Sequence, residues 1–308
     1  MEKVKIQIEP KKQLERDWEI IKDDIILEKD KDKKIARITF NRPEKLNAFT
    51  RSHELYLVRI VEELEWDEEV KVIIFRGAGR CFGTGHDVAE LGYLVGYGEK
   101  GERRPPQRRR LLVDREGWGR SGMMARILHC LKTTIAQVHG FCYGYHFQLA
   151  LASDMVVAAE DARFTHPGYR YIGPTGELAL LIETLGLNKT KEMVLTGRAF
   201  NAHEALQYGL INYVVPLAEL EAKTNELADA AAAMPFDGIA IGKCLLEGAL
   251  DALGVGANGS TASLGHSLQT NIRYEPDEFN LLKIRKEKGI KGAITDREAH
   301  WQGEFDLR

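Results

Sequence analysis

Cysteine is scarce in this chain and never spaced for chemistry. Only four occur in 308 residues, at 81, 130, 142 and 244, with no CxxC pair and no zinc-ligand spacing. Neither a disulfide framework nor a cysteine metal site is available, no metal is expected, and a reducing compartment is implied. Long apolar runs are missing too. No stretch of about 18 apolar residues appears, and the start MEKVKIQIEPKKQ has no apolar signal core, so a cytoplasmic protein with no membrane partner is expected. Excess positive charge is also lacking: a net charge of −3 argues against nucleic acid as a partner. What is present is the composition of a folded domain, 44% hydrophobic and 29% charged, over a length that can bury a large core.

The pattern along the chain is of short strands alternating with helices. Residues 1–23 are charged and weakly patterned and read as an N-terminal extension. IILEKDKDKKIARITF looks like two strands joined by a charged turn, with Ala36, Ile38 and Phe40 alternating in the second. Residues 52–66 place Leu55, Val58, Ile60, Val61 and Leu64 at near-helical intervals, and VKVIIFRGAG from Val70 is a buried strand stopped by glycines. Residues 92–124 are polar and rich in glycine and arginine. They read either as a solvated loop or as a lid whose arginines meet phosphates or a carboxylate. The logic then repeats through a helix near 123–131, the strand TTIAQVHG, the turn GFCYGYHFQLALASD and the strand DMVVAAE. From about Ala202 the sequence is mostly helical. The chain is therefore expected to be α/β, with a core over 24–201, an inserted Arg-rich loop at 92–124, and a helical region and tail over 202–308.

Two glycine turns, each between a buried strand and a helix, carry the chemistry: CFGTGHDVAEL at 81–91 and GFCYGYHFQLA at 140–150. A helix start of this kind presents N–H groups that attract negative charge, or hold a carbonyl oxygen that becomes negative during a reaction; it also serves as ordinary packing. The order FNRPEKLNAF, RCFGTGHDVAEL, VHGFCYGYHFQLALASD, ARFTHPG and EMVLTGRAFNAHEALQYGLINYVV resembles the crotonase (enoyl-CoA hydratase/isomerase) superfamily over residues 24–250.

The resemblance implies a core of repeated ββα units with a helical C-terminal region for trimerisation, assembled as a homotrimer or hexamer. It implies an acyl-CoA substrate, with coenzyme A as part of that substrate and no tightly bound cofactor. The backbone N–H groups that hold the thioester oxygen would be those of His86 and Tyr145, each directly after a glycine. The coenzyme would lie near Glu44, Lys45, Leu46 and Ala48, and near Thr84, Gly85, Asp87 and Val88. The two glutamates that family hydratases use to activate water correspond to Gln148 and Gly168. Neither exchanges a proton near neutral pH, so ordinary hydration is in doubt.

Other groups nearby could supply acid–base work: the imidazoles of His86, His146 and His166, and Glu177. His166, beside the lost second glutamate, is the first choice for a general base because its ordinary pKa suits that task. A glycine at the second glutamate position also resembles the branch containing 1,4-dihydroxy-2-naphthoyl-CoA synthase and 2-ketocyclohexanecarboxyl-CoA hydrolase. Three functions follow: an enzyme making or breaking a C–C bond, or isomerising a double bond, through an enolate of an acyl-CoA or related diketone; a hydratase with replaced acid–base residues; or a non-catalytic acyl-CoA-binding member.

Overall fold

The computed structural model describes residues 19–90, 106–118, 122–174, 176, 178–269, 272–301 and 307. The expected extension up to residue 18, most of the glycine-rich part of the 92–124 segment, and Glu177 lie outside the described residues.

β1 (Ile25–Asp30) and β2 (Ile35–Phe40) form the antiparallel hairpin read from the sequence. β2 then pairs in parallel with β3 (Val72–Gly77), β3 with β4 (Thr133–Val138), β4 with β6 (Met155–Ala159), and β6 with β9 (Tyr213–Val215). The six-stranded order is β1-β2-β3-β4-β6-β9, so this sheet takes its last strand from beyond residue 202. A second sheet, β5-β7-β8, is built from Phe141–Tyr143, Arg163–Thr165 and Phe200–Asn201.

The parallel strands are apolar on both faces because both faces are covered. Ala36, Ile38, Phe40, Ile73, Phe75, Ala136 and Val138 point into the main core. That core is closed by helix α1 (Arg51–Trp66) through Leu57, Val61 and Leu64. Ile35, Val72, Ile74, Ile135 and Val157 point the other way, onto Leu220 and Ala228 of a later helix. Each large apolar side chain fully buried in this way contributes about 1.5–3 kcal/mol.

Helix α2 (Gln107–Trp118) falls inside the segment read as a loop or lid, so that part of the segment is helical. Its Arg110 and Asp114 are buried despite their charge, and Asp114 is bound by His266 and Ser267. Sequence patterning missed the helix because the face it buries is polar.

α3 (Met123–Leu128) and α4 (Tyr145–Ala152) follow. Next comes α5 (Leu178–Thr196), interrupted at Gly186. The helical C-terminal region comprises α6 (Ala202–Gln207), α7 (Leu220–Ala232), α8 (Phe236–Ala252), α9 (Val255–Gln269) and α10 (Leu281–His300), the last broken at Gly289. Among the described residues no helix is long and apolar enough to cross a membrane.

Asp154, at the end of the second glycine-turn stretch, ties α4 to the sheet. Its Oδ2 accepts from the Thr134 N–H at 2.7 Å and the Thr134 hydroxyl at 3.0 Å, and pairs with Lys243 of α8 at 2.5 Å. Asp154→Ala would leave the buried Thr134 N–H without its acceptor, at a cost of about 2 kcal/mol. A lowered urea midpoint with an unchanged denaturant slope is the expected result; an unchanged midpoint would refute the tie.

Candidate active site

Three backbone segments are laced side by side. Gly83 N–H donates to Phe141 O at 2.8 Å and Tyr143 N–H to Gly83 O at 2.9 Å, which zips the first glycine turn onto β5. On its other side, Phe49 N–H donates to Gly85 O and Asp87 N–H to Phe49 O, both at 2.7 Å. Thr84 N–H reaches Leu46 O at 3.1 Å. The residues expected at the coenzyme, 44–48 and 84–88, are thereby brought together. Glu44 and Lys45 are exposed on a short 3-10 turn (Pro43–Lys45). Asn47 staples the turn from below, its amide donating to Ala78 O at 2.9 Å and Cys81 O at 2.8 Å. Asp87 caps the next segment by accepting from Ala89 N–H at 2.9 Å, and Val88 O accepts from Arg285 of α10 at 2.5 Å.

This lacing sets the two proposed N–H donors at neighbouring turns. Gly85 has φ +87° and Gly144 φ +58°, both in the region an L side chain avoids. A Cβ placed on Gly85 would lie 3.0 Å from Tyr145 N and 3.1 Å from Gly144 Cα. Tyr145 opens α4, where N–H groups fall outside the intrahelical ladder. The His86 N–H makes no backbone hydrogen bond among the described residues.

The side chains around these turns divide by burial. His146 is fully buried, boxed by Phe40, Phe49 and Phe82 at ring separations of 5.1, 4.4 and 5.8 Å. Its Nδ1 accepts the Gly85 N–H at 3.1 Å, and burial drives its pKa down to about 3. His146 is thus a neutral prop beneath the first turn, because its charged form has no water to stabilise it.

His166 is held neutral for a related reason. Its Nδ1 accepts the Gly168 N–H at 3.1 Å, so the proton of the neutral ring sits on Nε2 and the ring is a donor. Burial, with the nearby charges of His86 and His266, lowers its pKa to about 3. The ring also explains the glycine at 168. A Cβ there would meet His166 Cε1 at 2.6 Å and Nδ1 at 2.7 Å, so the imidazole fills the place where a residue-168 side chain would begin. Gln148, on α4, is fully buried.

The residue that sequence reasoning missed is Glu54. It is 2% exposed, with Oε2 2.7 Å from Arg51 Nη1 and Oε1 in direct contact with His86 Nε2. The Tyr145 phenol lies close enough to feel its charge. Burial opposes its charge, but His86 and Arg51 more than compensate and hold its pKa below the ordinary carboxylate range. Tyr145 keeps its phenolic proton, chiefly through burial and then through the Glu54 charge. The signal was present in the helical spacing. Glu54 stands on the same stripe as Leu57, Val61 and Leu64, so a charge was being placed on the buried face.

With this geometry in view, likeness to known proteins becomes informative. The family model described as enoyl-CoA hydratase/isomerase matches residues 30–252. A putative enoyl-CoA hydratase of Mycobacterium tuberculosis, EchA13, is 31% identical over 291 residues, covering 86% of this chain and 89% of its own length. A hydroxycinnamoyl-CoA hydratase-lyase of Pseudomonas fluorescens is 31% identical over 196 residues, 63% of this chain and 68% of that protein. Among solved structures, an enoyl-CoA hydratase/isomerase from Xanthobacter autotrophicus Py2 superposes with a TM-score of 0.76 at 28% identity, covering 91% of this chain and 99% of the other. A monofunctional enoyl-CoA isomerase from M. smegmatis does so with a TM-score of 0.58 at 27% identity, over 74% and 94%. The chain belongs to the enoyl-CoA hydratase/isomerase family, and its fold is that of the crotonase superfamily, whose enzymes act on acyl-CoA thioesters.

Proposed function

We propose that the protein binds an acyl-CoA thioester, or a related diketone, and converts it through an enolate, making or breaking a C–C bond or shifting a double bond. The observation that carries this reading is the juxtaposition of the two glycine turns, with the Gly85 Cβ position 3.0 Å from Tyr145 N. Two N–H groups fixed on adjacent rigid turns stabilise charge that develops on one oxygen, and each is worth roughly 3 kcal/mol in the transition state. Plain hydration is the second choice. The positions matching the hydratase glutamates hold Gln148 and Gly168, and His166 at the latter is a donor. In this reading His166 and Gln148 hydrogen-bond the acyl group or a water. The likeness to both a hydratase-lyase and an isomerase is consistent with enolate chemistry of more than one outcome.

The coenzyme lies along residues 44–48 and 84–88, and the substrate is small-molecule acyl-CoA. The assembly is a homotrimer or hexamer in the cytoplasm. The assembly reading is supported by α8, where Ile241, Leu245 and Leu246 are exposed in the single chain. The test is incubation of the purified protein with a panel of CoA thioesters in deuterium oxide, read by mass spectrometry. Deuterium uptake at the carbon beside the thioester, or an enolate-derived product, is expected for at least one acyl group. Tight binding with neither, across the panel, would favour a non-catalytic subunit.

A further inference from the structure

We infer that His86 is the acid–base group of this enzyme and that Glu54 is the buried carboxylate that orients it, the two together standing in for the glutamates of the hydratases. The inference rests on the acyl-CoA reading above and names the group that moves the proton.

Glu54 comes from α1 and His86 from the first glycine turn, and their contact is the point where that helix meets the turn. A carboxylate only accepts hydrogen bonds, so His86 Nε2 carries the ring proton towards Glu54 and Nδ1 carries the lone pair. Burying a carboxylate is costly unless every oxygen is served. Here Arg51 serves Oε2 and His86 serves Oε1. Arg51 alone would balance the charge, so the remaining contact fixes geometry: it locks one imidazole beside the two backbone donors, in one tautomer. The His86 side chain is 26% exposed while that of Glu54 is 3% exposed, so the imidazole is reachable and its partner is not.

The His86 ring packs on Tyr145 at 4.9 Å between centroids. The titratable groups that feel its charge are Glu54, His146 and His166, with Tyr145 in ring contact. Both histidines in that set are neutral above pH of about 3 and Tyr145 stays protonated, so Glu54 is the charged group in contact with His86. The other carboxylate–imidazole pairs among the described residues, Asp24 with His53, Glu247 with His129 and Asp114 with His266, involve no residue of either turn.

The step balances without a co-reactant. The C–H bond beside the thioester breaks, its electron pair moves onto the thioester oxygen held by the His86 and Tyr145 N–H groups, and the proton forms an N–H bond at Nδ1. The imidazolium is stabilised by Glu54 until the proton returns to carbon.

Two variants and one spectroscopic reading test this. His86→Asn keeps the backbone N–H and should lower kcat and the deuterium-uptake rate by about 100-fold or more, with KM within a few-fold. Added imidazole should restore part of the rate. Glu54→Gln should lower kcat about 10- to 100-fold with KM within a few-fold. Nitrogen-15 NMR of the histidine rings should show His86 protonated at Nε2 in the unaltered protein, a preference weakened in Glu54→Gln. That reading does not depend on turnover, so it separates failure of the pairing from failure of the acyl-CoA reading. A folded His86→Asn protein with kcat within threefold, or a His86 tautomer indifferent to Glu54→Gln, overturns the inference.

Discussion

Gly85→Ala is expected to cut turnover of the preferred acyl-CoA by about 100-fold or more while leaving a folded protein. At φ +87° an alanine is strained by about 1–2 kcal/mol. The added Cβ would also press on Tyr145 N at 3.0 Å and on Gly144 Cα and Tyr143 O, both at 3.1 Å. The peptide cannot swing aside without loss, because Gly85 N–H is held by His146 at 3.1 Å and Gly85 O by Phe49 N–H at 2.7 Å. The two turns must therefore part by a few tenths of an ångström, and an oxyanion gripped by two donors is left with one well-placed donor. Removal of one such donor typically costs 10²- to 10³-fold in rate, roughly 3–4 kcal/mol. Circular dichroism and a thermal melt check the fold, and single-turnover kinetics check the chemistry. A folded Gly85→Ala enzyme with turnover within threefold of the parent would show that these turns do not hold the reacting oxygen.

Acid sensitivity is the second large effect. His146 and His166 each have a folded-state pKa of about 3, against about 6.5 in the unfolded chain. Between those values the unfolded state binds a proton that the folded state refuses, so stability rises with pH and is lost as pH falls from 6.5 towards 3. The slope reaches about 1.4 kcal/mol per pH unit for each group. Taking pH from 7.5 to 5.5 should therefore remove about 2–3 kcal/mol of unfolding free energy, measured by denaturant titration at both values. Replacing His146 by phenylalanine should remove about half of that dependence. His86 and His53 are the charges facing His146, and His86 and His266 those facing His166; all oppose protonation, so none reverses the sign. Glu54, whose folded pKa is depressed, adds a further loss in the same direction only below the ordinary carboxylate range. Identical unfolding midpoints at pH 7.5 and 5.5 would contradict the burial assigned to these rings.

Local patterning carried the sequence reading as far as local forces reach. The alternation of Ala36, Ile38 and Phe40 was legible because a strand turns successive side chains to opposite faces, and all three face the main core. The glycine turns were legible because glycine marks backbone that other residues avoid, and Gly85 and Gly144 take positive φ. The helix at Gln107–Trp118 was not legible, since its buried face carries Arg110 and Asp114 and the groups that bind Asp114 come from residues about 150 positions later.

The sequence by itself determined the class of fold and the place of the two glycine turns. These depend on residue type and order, which need no partner to be read. Only the tertiary structure decided which titratable groups can work. His146 and His166 look alike in sequence to any catalytic histidine, yet burial and a backbone N–H at Nδ1 fix both as neutral rings. Glu54, 32 positions before His86, becomes chemically relevant only where α1 docks against the first turn. Proton affinity is set by solvent exclusion and by the charges within a few ångströms, and both come from chain segments distant in sequence.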